Sequence, residues 1–246
     1  MPRKALNESL ADADAAPGGA AAVDRALTLL AAFRAGDTAL TLADLAERTQ
    51  LYKSTALRLL ASLEHAGMLQ RLEDGRYTLG NEVARLHSIY AASFSLDHLV
   101  LPELRRLVKD TGESAAYHVR QGQGADAVRL CLYRVDSPHP IRDHIRAGDI
   151  LPLGRGTGGR VLTAFDPALA KSGGAADRKL LAGVRERGYC AETGDRLAEV
   201  AGISAPVFHA NGTIAAALTL TMPSHRYDAR YVKPVLEAAR RLSGKV

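Results

Sequence analysis

The chain is short of the residues that build several kinds of site. It has no tryptophan, and only four phenylalanines, three methionines and two cysteines in 246 residues. Cys131 and Cys190 stand alone, with no C-x-x-C pair and no histidine at ligand spacing, which argues against zinc; no metal and no cofactor are expected. Both thiols sit in apolar company and read as reduced, partly buried core residues. No apolar run approaches the ~20 residues of a membrane span. The N-terminus, MPRKALNESLADADAAPGGAAA, breaks any signal-like stretch with Asn, Glu and Asp. A soluble, cytoplasmic protein with no membrane partner is the expectation. No GK[ST] follows a glycine-rich loop. Gly154, Gly156 and Gly159 spell G-x-G-x-x-G, but no βαβ unit with an acid ending its second strand follows, so a dinucleotide cradle is rejected.

Acid is also missing where it matters. The net charge is +5, yet the first ninety residues hold ten Lys or Arg against eleven Asp or Glu, and the remainder twenty-two against sixteen. Bulk charge therefore says nothing for nucleic acid. Locally, no acid lies between Glu47 and Glu64, whereas Arg48, Lys53 and Arg58 do.

That segment has the order of a winged helix-turn-helix. Thr41 followed by Asp44 fits a capping box, and Leu42, Leu45, Ala46 and Thr49 share a helical face. After a turn at Gln50 and Leu51, a second helix carries Ala56, Leu59, Leu60 and Leu63 inward. Ser54, Arg58 and His65 then point outward, with Lys53 and Thr55 on the flanks. Gly67 ends it, and the runs 68–72 and 76–79 flank an Asp74-Gly75 hairpin turn, the wing, with Arg71 and Arg76. Upstream, Val23, Ala26, Leu27, Leu30 and Phe33 form an amphipathic helix. The candidate DNA contacts are Lys53, Ser54, Thr55, Arg58, Arg71 and Arg76.

The 47% hydrophobic content allows two domains with a core each. We divide the chain into a disordered arm (1–19), the winged helix-turn-helix (20–80), a linker helix (81–96) and a second domain (97–246). In the second, a helix over 99–111 precedes strand-like runs at 114–119, 127–135, 140–145, 203–208 and 213–221. Helices over 159–165, 177–187 and 231–242 interrupt or follow them. Strands grouped around helices without strict alternation indicate an α+β fold on a largely antiparallel sheet. His118, His139, His144, His209 and His225 read as surface or loop residues.

The segments VDRALTLLAAF, KSTALRLLASLEHAG, GRYTLG, DTGES, LPLGRGTGGRVLTAF, RERGYCAETGD and ISAPVFHANGTIAAALTLTMP, in this order, resemble the IclR family of bacterial transcriptional regulators. The likeness runs from about Val23 to the C-terminus. It implies an N-terminal winged helix-turn-helix, a linker helix, and a C-terminal GAF-like domain that binds a small organic effector. It also implies no catalysis, and dimers, often paired into tetramers, on a double-stranded operator. Carried over by position, the effector contacts are Thr157, Gly158, Glu192, Gly202, Thr219 and Thr221. Three departures stand out: Tyr52 where many members have Pro, a short segment after Asp166, and a glycine-rich 154–159 loop. The short segment leads us to expect an open pocket that admits aromatic acids.

Thr219 and Thr221, two apart on a strand, face one side, which is either the pocket or solvent. Glu192 is either a pocket acid or a surface one, and Arg155 and Arg160 are candidate countercharges. Two other classes stay open at this point: a GAF-like redox enzyme using Cys131 and Cys190, and a winged-helix module that binds protein rather than DNA.

Overall fold

A computed structural model describes residues 9–94, 96–122, 127–171 and 174–246, which fall into two compact units, one ending at Phe94 and the other starting at Ser95. Among the described residues no helix is long and apolar enough to cross a membrane.

The first unit begins with a helical turn, α1 (Leu10–Ala13), inside the stretch expected to be a disordered arm. Two polar contacts hold it: the Ser9 hydroxyl accepts the Asp12 amide at 3.3 Å, and Asp12 pairs with Arg25 at 2.7 Å. Residues 1–8 of that expected arm lie outside the described residues.

Next come α2 (Ala21–Ala31), α3 (Leu42–Thr49), α4 (Lys53–His65), the hairpin β1 (Leu69–Arg71) with β2 (Tyr77–Leu79), and α5 (Asn81–Phe94). The Thr41–Asp44 capping box forms as the sequence requires, fixing where α3 starts. Gln50 then takes a left-handed turn at φ 57°, so α4 begins after only two further residues. Gly67, at φ 71°, lets the chain leave α4: the Met68 amide reaches the Leu63 carbonyl at 2.9 Å and the strand of the wing follows at once.

Leu29, Leu45, Ala56 and Leu60 are wholly buried at the centre of this unit, and each leucine contributes about 1.5–3 kcal/mol by leaving water. The α2 face is only in part the expected one, with Ala26, Leu30 and Phe33 packed on the core. It centres on Leu29, while Val23 and Leu27 stay exposed at 54% and 56%.

The second unit is built on a six-stranded sheet. α6 (Leu96–Thr111) leads into β3 (Ser114–Gln121), β4 (Val128–Val135), β5 (Ile150–Pro152), α7 (Thr157–Phe165) and α8 (Ala175–Arg187). Then come β6 (Cys190–Thr193), β7 (Val200–Phe208), β8 (Ile214–Pro223) and α9 (Val232–Leu242). The strand order is β5-β4-β3-β8-β7-β6, with every pairing antiparallel. Leu104 of α6 and Val235 and Leu242 of α9 cover one face, against Tyr117, Ile203, Leu218 and Leu220. On the other face, Val161 and Leu162 of α7 and Leu181 and Val184 of α8 pack with Cys190 and Ala217. β7 and β8 are thus buried on both sides, which is why their runs are almost uninterruptedly apolar.

The expected strand over 140–145 does not form. Pro138 and Pro140 lack the donors a ladder needs, and the edge of β4 is taken instead by Ile150–Pro152. The freed 136–149 loop buries Asp143 and Ile145.

Candidate functional site

Two regions gather the residues singled out from the sequence, one in each unit. In the first, Lys53, Ser54 and Arg58 are exposed on α4, and Thr55 is half-buried beside them. α4 keeps its apolar side on the core, so this row faces water by helical period alone. The Arg58 guanidinium and the Lys53 ammonium form no ion pair or hydrogen bond among the described residues, so both charges are free to meet an anion.

The neighbouring arginines differ. Arg48 is bound: it donates to the Ala32 carbonyl at 2.9 Å and pairs with Asp37, stitching α3 to the loop after α2. Its contribution to the acid-free segment is therefore structural. On the wing, Arg76 pairs with Asp74 at 2.7 Å, and that guanidinium holds the Asp74 carboxyl below the usual carboxylate range. Arg71 lies over the Tyr77 ring, 5.8 Å from its centroid. Half the charge expected at the wing tip is thus already matched from within.

In the second unit, the sequence-derived positions converge on the N-terminal end of α7. Thr219 and Thr221 are both buried on the α7 side of the sheet, opposite Leu218 and Leu220, as their spacing requires. Thr157 Oγ1 lies 2.7 Å from Ser204 Oγ, Ser204 Oγ 2.8 Å from Thr219 Oγ1, and Thr219 Oγ1 3.3 Å from His118 Nδ1, one continuous hydrogen-bonded row. A cavity of about 30 Å³ opens beside this row, lined among others by Arg129, Ile145, Thr157, Arg196, Thr219 and Thr221.

Gly158 and Gly202 stand where the site leaves no space for a side chain. A Cβ at 158 would stand 2.8 Å from an Arg129 nitrogen and 2.9 Å from Thr219 Oγ1, and a Cβ at 202 would stand 2.6 Å from Thr157 Oγ1. These glycines make room for the polar row and the guanidinium, and Gly202 also lines the cavity. Glu192 is exposed and only borders the cavity. The Gly156 amide donates to Asp195 at 2.7 Å.

Arg155 and Arg160 do not supply the countercharge. Arg155 is exposed, and Arg160 pairs with Asp195 at 3.1 Å. Arg129, 2% exposed, lies there instead, with Arg196 beside it. Arg129 Nε donates to the Pro152 carbonyl at 3.3 Å. Burial, with Arg196 adding to it, lowers the Arg129 pKa to about 10, which leaves it protonated at neutral pH. Arg134 pairs with the buried Asp143, which Arg196 approaches to 3.6 Å. The loop that the missing strand frees is thereby tied down, and its Ile145 lines the cavity.

His118 is the one histidine of the five expected at the surface that is buried. Burial, and then the charges of Arg129, Arg134 and Arg196, hold its pKa well below the usual 6.5, so it is neutral. Sequence reading missed Arg129, His118 and Ser204. The available signal was two cations, Arg129 and Arg134, within an otherwise apolar strand, VRLCLYRV, where a buried charge needs polar surroundings.

The redox pair fails on geometry. Cys131 and Cys190 are buried on β4 and β6, four strand positions apart, or roughly 19 Å at the usual strand spacing. A disulfide requires Cα atoms within about 7 Å. Burial pushes each thiol up to about 12, the opposite of a reactive thiolate. Among the described residues no group of three or more His, Cys, Asp or Glu is placed to hold a metal.

Residues 22–73 match the IclR helix-turn-helix domain, and residues 176–246 match the bacterial transcriptional regulator IclR C-terminal domain. The glycerol operon regulatory protein of Streptomyces coelicolor is 30% identical over 201 residues, 75% of this chain and 78% of that protein. An IclR homolog from Microbacterium hydrocarbonoxydans, solved with 4-hydroxybenzoate, superposes with a TM-score of 0.78 at 25% identity, covering 91% of this chain and 98% of that one. A putative IclR regulator from Silicibacter sp. TM1040 does so with a TM-score of 0.74 at 26% identity, covering 90% and 96%. With a capped helix pair and wing in one unit and a polar cavity under a helix in the other, the chain belongs to the IclR family of transcriptional regulators, whose members join a DNA-binding helix-turn-helix to a ligand-binding C-terminal domain.

Proposed function

We propose that this protein is a cytoplasmic, effector-responsive regulator that binds an inverted-repeat operator as a dimer, or as dimers paired into tetramers, and has no catalytic role. The observation that carries the reading is the free row Lys53, Ser54, Thr55 and Arg58 on α4, next to a short hairpin wing bearing Arg71 and Arg76. Ser54 and Arg58 read bases, Lys53 and Thr55 take phosphate or base contacts, and the wing arginines reach the backbone or minor groove. One such unit touches too few bases to select a site, and two-fold pairing doubles the readout.

The effector is a small organic acid that occupies the cavity beside Thr157, Thr219 and Thr221, with Glu192, Gly158 and Gly202 shaping its border. The 4-hydroxybenzoate bound by the Microbacterium relative supports an acid as the ligand type. A ligand changes DNA affinity only by its differential affinity for two states of the protein, for which about 1–3 kcal/mol of coupling is typical. Selection on a randomised double-stranded library, followed by footprinting and light scattering, tests the reading. An enriched inverted repeat, protected over both halves by a dimer or tetramer, is expected. No enrichment over random sequence, or an isolated half-site bound by a monomer, overturns it.

A further inference from the structure

The stretch ahead of α2 folds back onto it. Ala11, in the turn α1, is buried, and two polar ties hold the segment along α2. Arg25 donates from Nε at 2.9 Å and from Nη2 at 2.7 Å to one oxygen of Asp12, and the Ala16 amide donates to Asp24 at 3.3 Å. The other Asp12 oxygen accepts the Ser9 hydroxyl at 2.6 Å. With Ser9 and then Arg25 bound to it, the carboxyl is held below its usual range and is an anion at neutral pH. Residues 9–16 lie ahead of the 22–73 stretch that matches the helix-turn-helix of the family.

Arg25 also belongs to the face that α4 presents. With Thr55, Arg58 and Ser62 it lines a groove of about 370 Å³ between α2 and α4, and among the described residues that line it none is acidic. Two guanidinium groups and two hydroxyls on one groove suit the oxygens of a phosphodiester backbone. The two cations differ in one respect. Among the described residues Arg58 is unpaired, whereas Arg25 already carries a carboxylate brought in from outside the groove. That ion pair is about one-third exposed on each side, at 35% and 30%. Such a pair adds little net stability, because water screens it and two side chains lose freedom in making it. A DNA phosphate offers the guanidinium two oxygens and releases a condensed counterion on contact, so it can take Arg25 from Asp12.

We propose that Asp12 stands in for a DNA phosphate on Arg25, so that the 9–16 segment is an internal competitor that must yield before the backbone of the duplex can use the whole groove between α2 and α4. This rests on the reading of the α4 row as the DNA-binding face. Arg25 joins that face as a phosphate contact, which positions the domain without reading sequence. Removal of the Asp12 carboxylate therefore tightens binding to every duplex by a similar factor and leaves sequence preference as it was.

Fluorescence anisotropy of the full-length protein, on the operator enriched in the selection and on a random-sequence duplex over a salt series, tests it. The proteins are the wild type, Asp12→Asn, Arg25→Gln and the double variant, with melting temperatures confirming that each is folded. Asp12→Asn is expected to bind both duplexes about two- to fivefold more tightly, the range an exposed ion pair spans, and to steepen the dependence of log K on log salt by up to about 0.9. Arg25→Gln should weaken binding to both and flatten the slope, and in that background Asp12→Asn should have no effect. An unchanged affinity in Asp12→Asn, or the same gain with and without Arg25, overturns the competition while the DNA-binding reading stands. If neither the wild type nor any variant binds either duplex at low salt, both fail.

Discussion

Gly202 and Thr157 share one volume: a side chain at 202 would begin 2.6 Å from the Thr157 hydroxyl. The Thr157 hydroxyl is in turn 2.7 Å from Ser204 on the same strand as Gly202. The polar row at the start of α7 therefore depends on an absent methyl group. Gly202→Ala should push Thr157 away, break that bond and destabilise the protein by about 1–3 kcal/mol. Urea unfolding monitored by circular dichroism checks this, and an unchanged midpoint would show that α7 shifts freely.

Arg58 and Arg48 lie ten residues apart and should behave in opposite ways. Arg58→Ala removes an exposed, unpaired side chain, so operator affinity is expected to fall by about 1–3 kcal/mol with the unfolding midpoint unchanged. Arg48→Ala instead breaks the tie to Asp37 and the Ala32 carbonyl, and the melting temperature should fall. Gel-shift titration and thermal melts on both variants separate reading from scaffolding. Equal loss of stability in the two would contradict the assignment.

Because Asp74 holds Arg76, the wing should gain rather than lose by a single change at the acid. Asp74→Asn frees one cation and is expected to steepen the dependence of log K on log salt by up to about 0.9. Arg76→Ala should flatten it by less than that. A salt series from a filter-binding assay reads both slopes, and an unaltered slope in Asp74→Asn would place the wing tip away from phosphate.

His118 gives the second unit a pH dependence. Its folded pKa lies well below 6.5, so below pH 6.5 the unfolded chain takes a proton that the folded chain refuses. Stability is then full above about pH 6.5 and falls by up to about 1.4 kcal/mol per unit as pH drops toward the folded value. Unfolding at pH 7.5 and 5.5 should show this loss, and His118→Gln should shrink it. An equal loss in the variant would assign the effect to other groups.

The two thiols should be silent. With both buried and raised to about 12, Ellman's reagent is expected to find no reactive cysteine in the native protein and two after denaturation. Rapid native labelling of either would reopen the question of redox chemistry.

Local rules settle the helix pair and the wing of the first unit. The Thr41–Asp44 box, the apolar period of α4, Gly67 past its end and the Asp74-Gly75 turn each act over three or four residues, so the helix pair and its wing can be read directly from the sequence. The alternation of Thr219 and Thr221 with Leu218, Leu220 and Met222 likewise sorts β8 into a polar and an apolar face. What sequence could not reveal is which distant groups meet. Arg129, His118 and Ser204 lie on three strands brought together only by the order β4-β3-β8-β7, and a register set by long-range pairing is invisible to periodicity. Arg160 was a reasonable countercharge until Asp195, thirty-five residues on, claimed it. The edge of the sheet was decided by competition as well, since residues 150–152 took the ladder expected of 140–145, and the displaced loop lent Ile145 to the cavity wall. Helices and turns follow from neighbours in the chain. The charge balance and size of a buried site follow from neighbours in space, and only the tertiary structure supplies those.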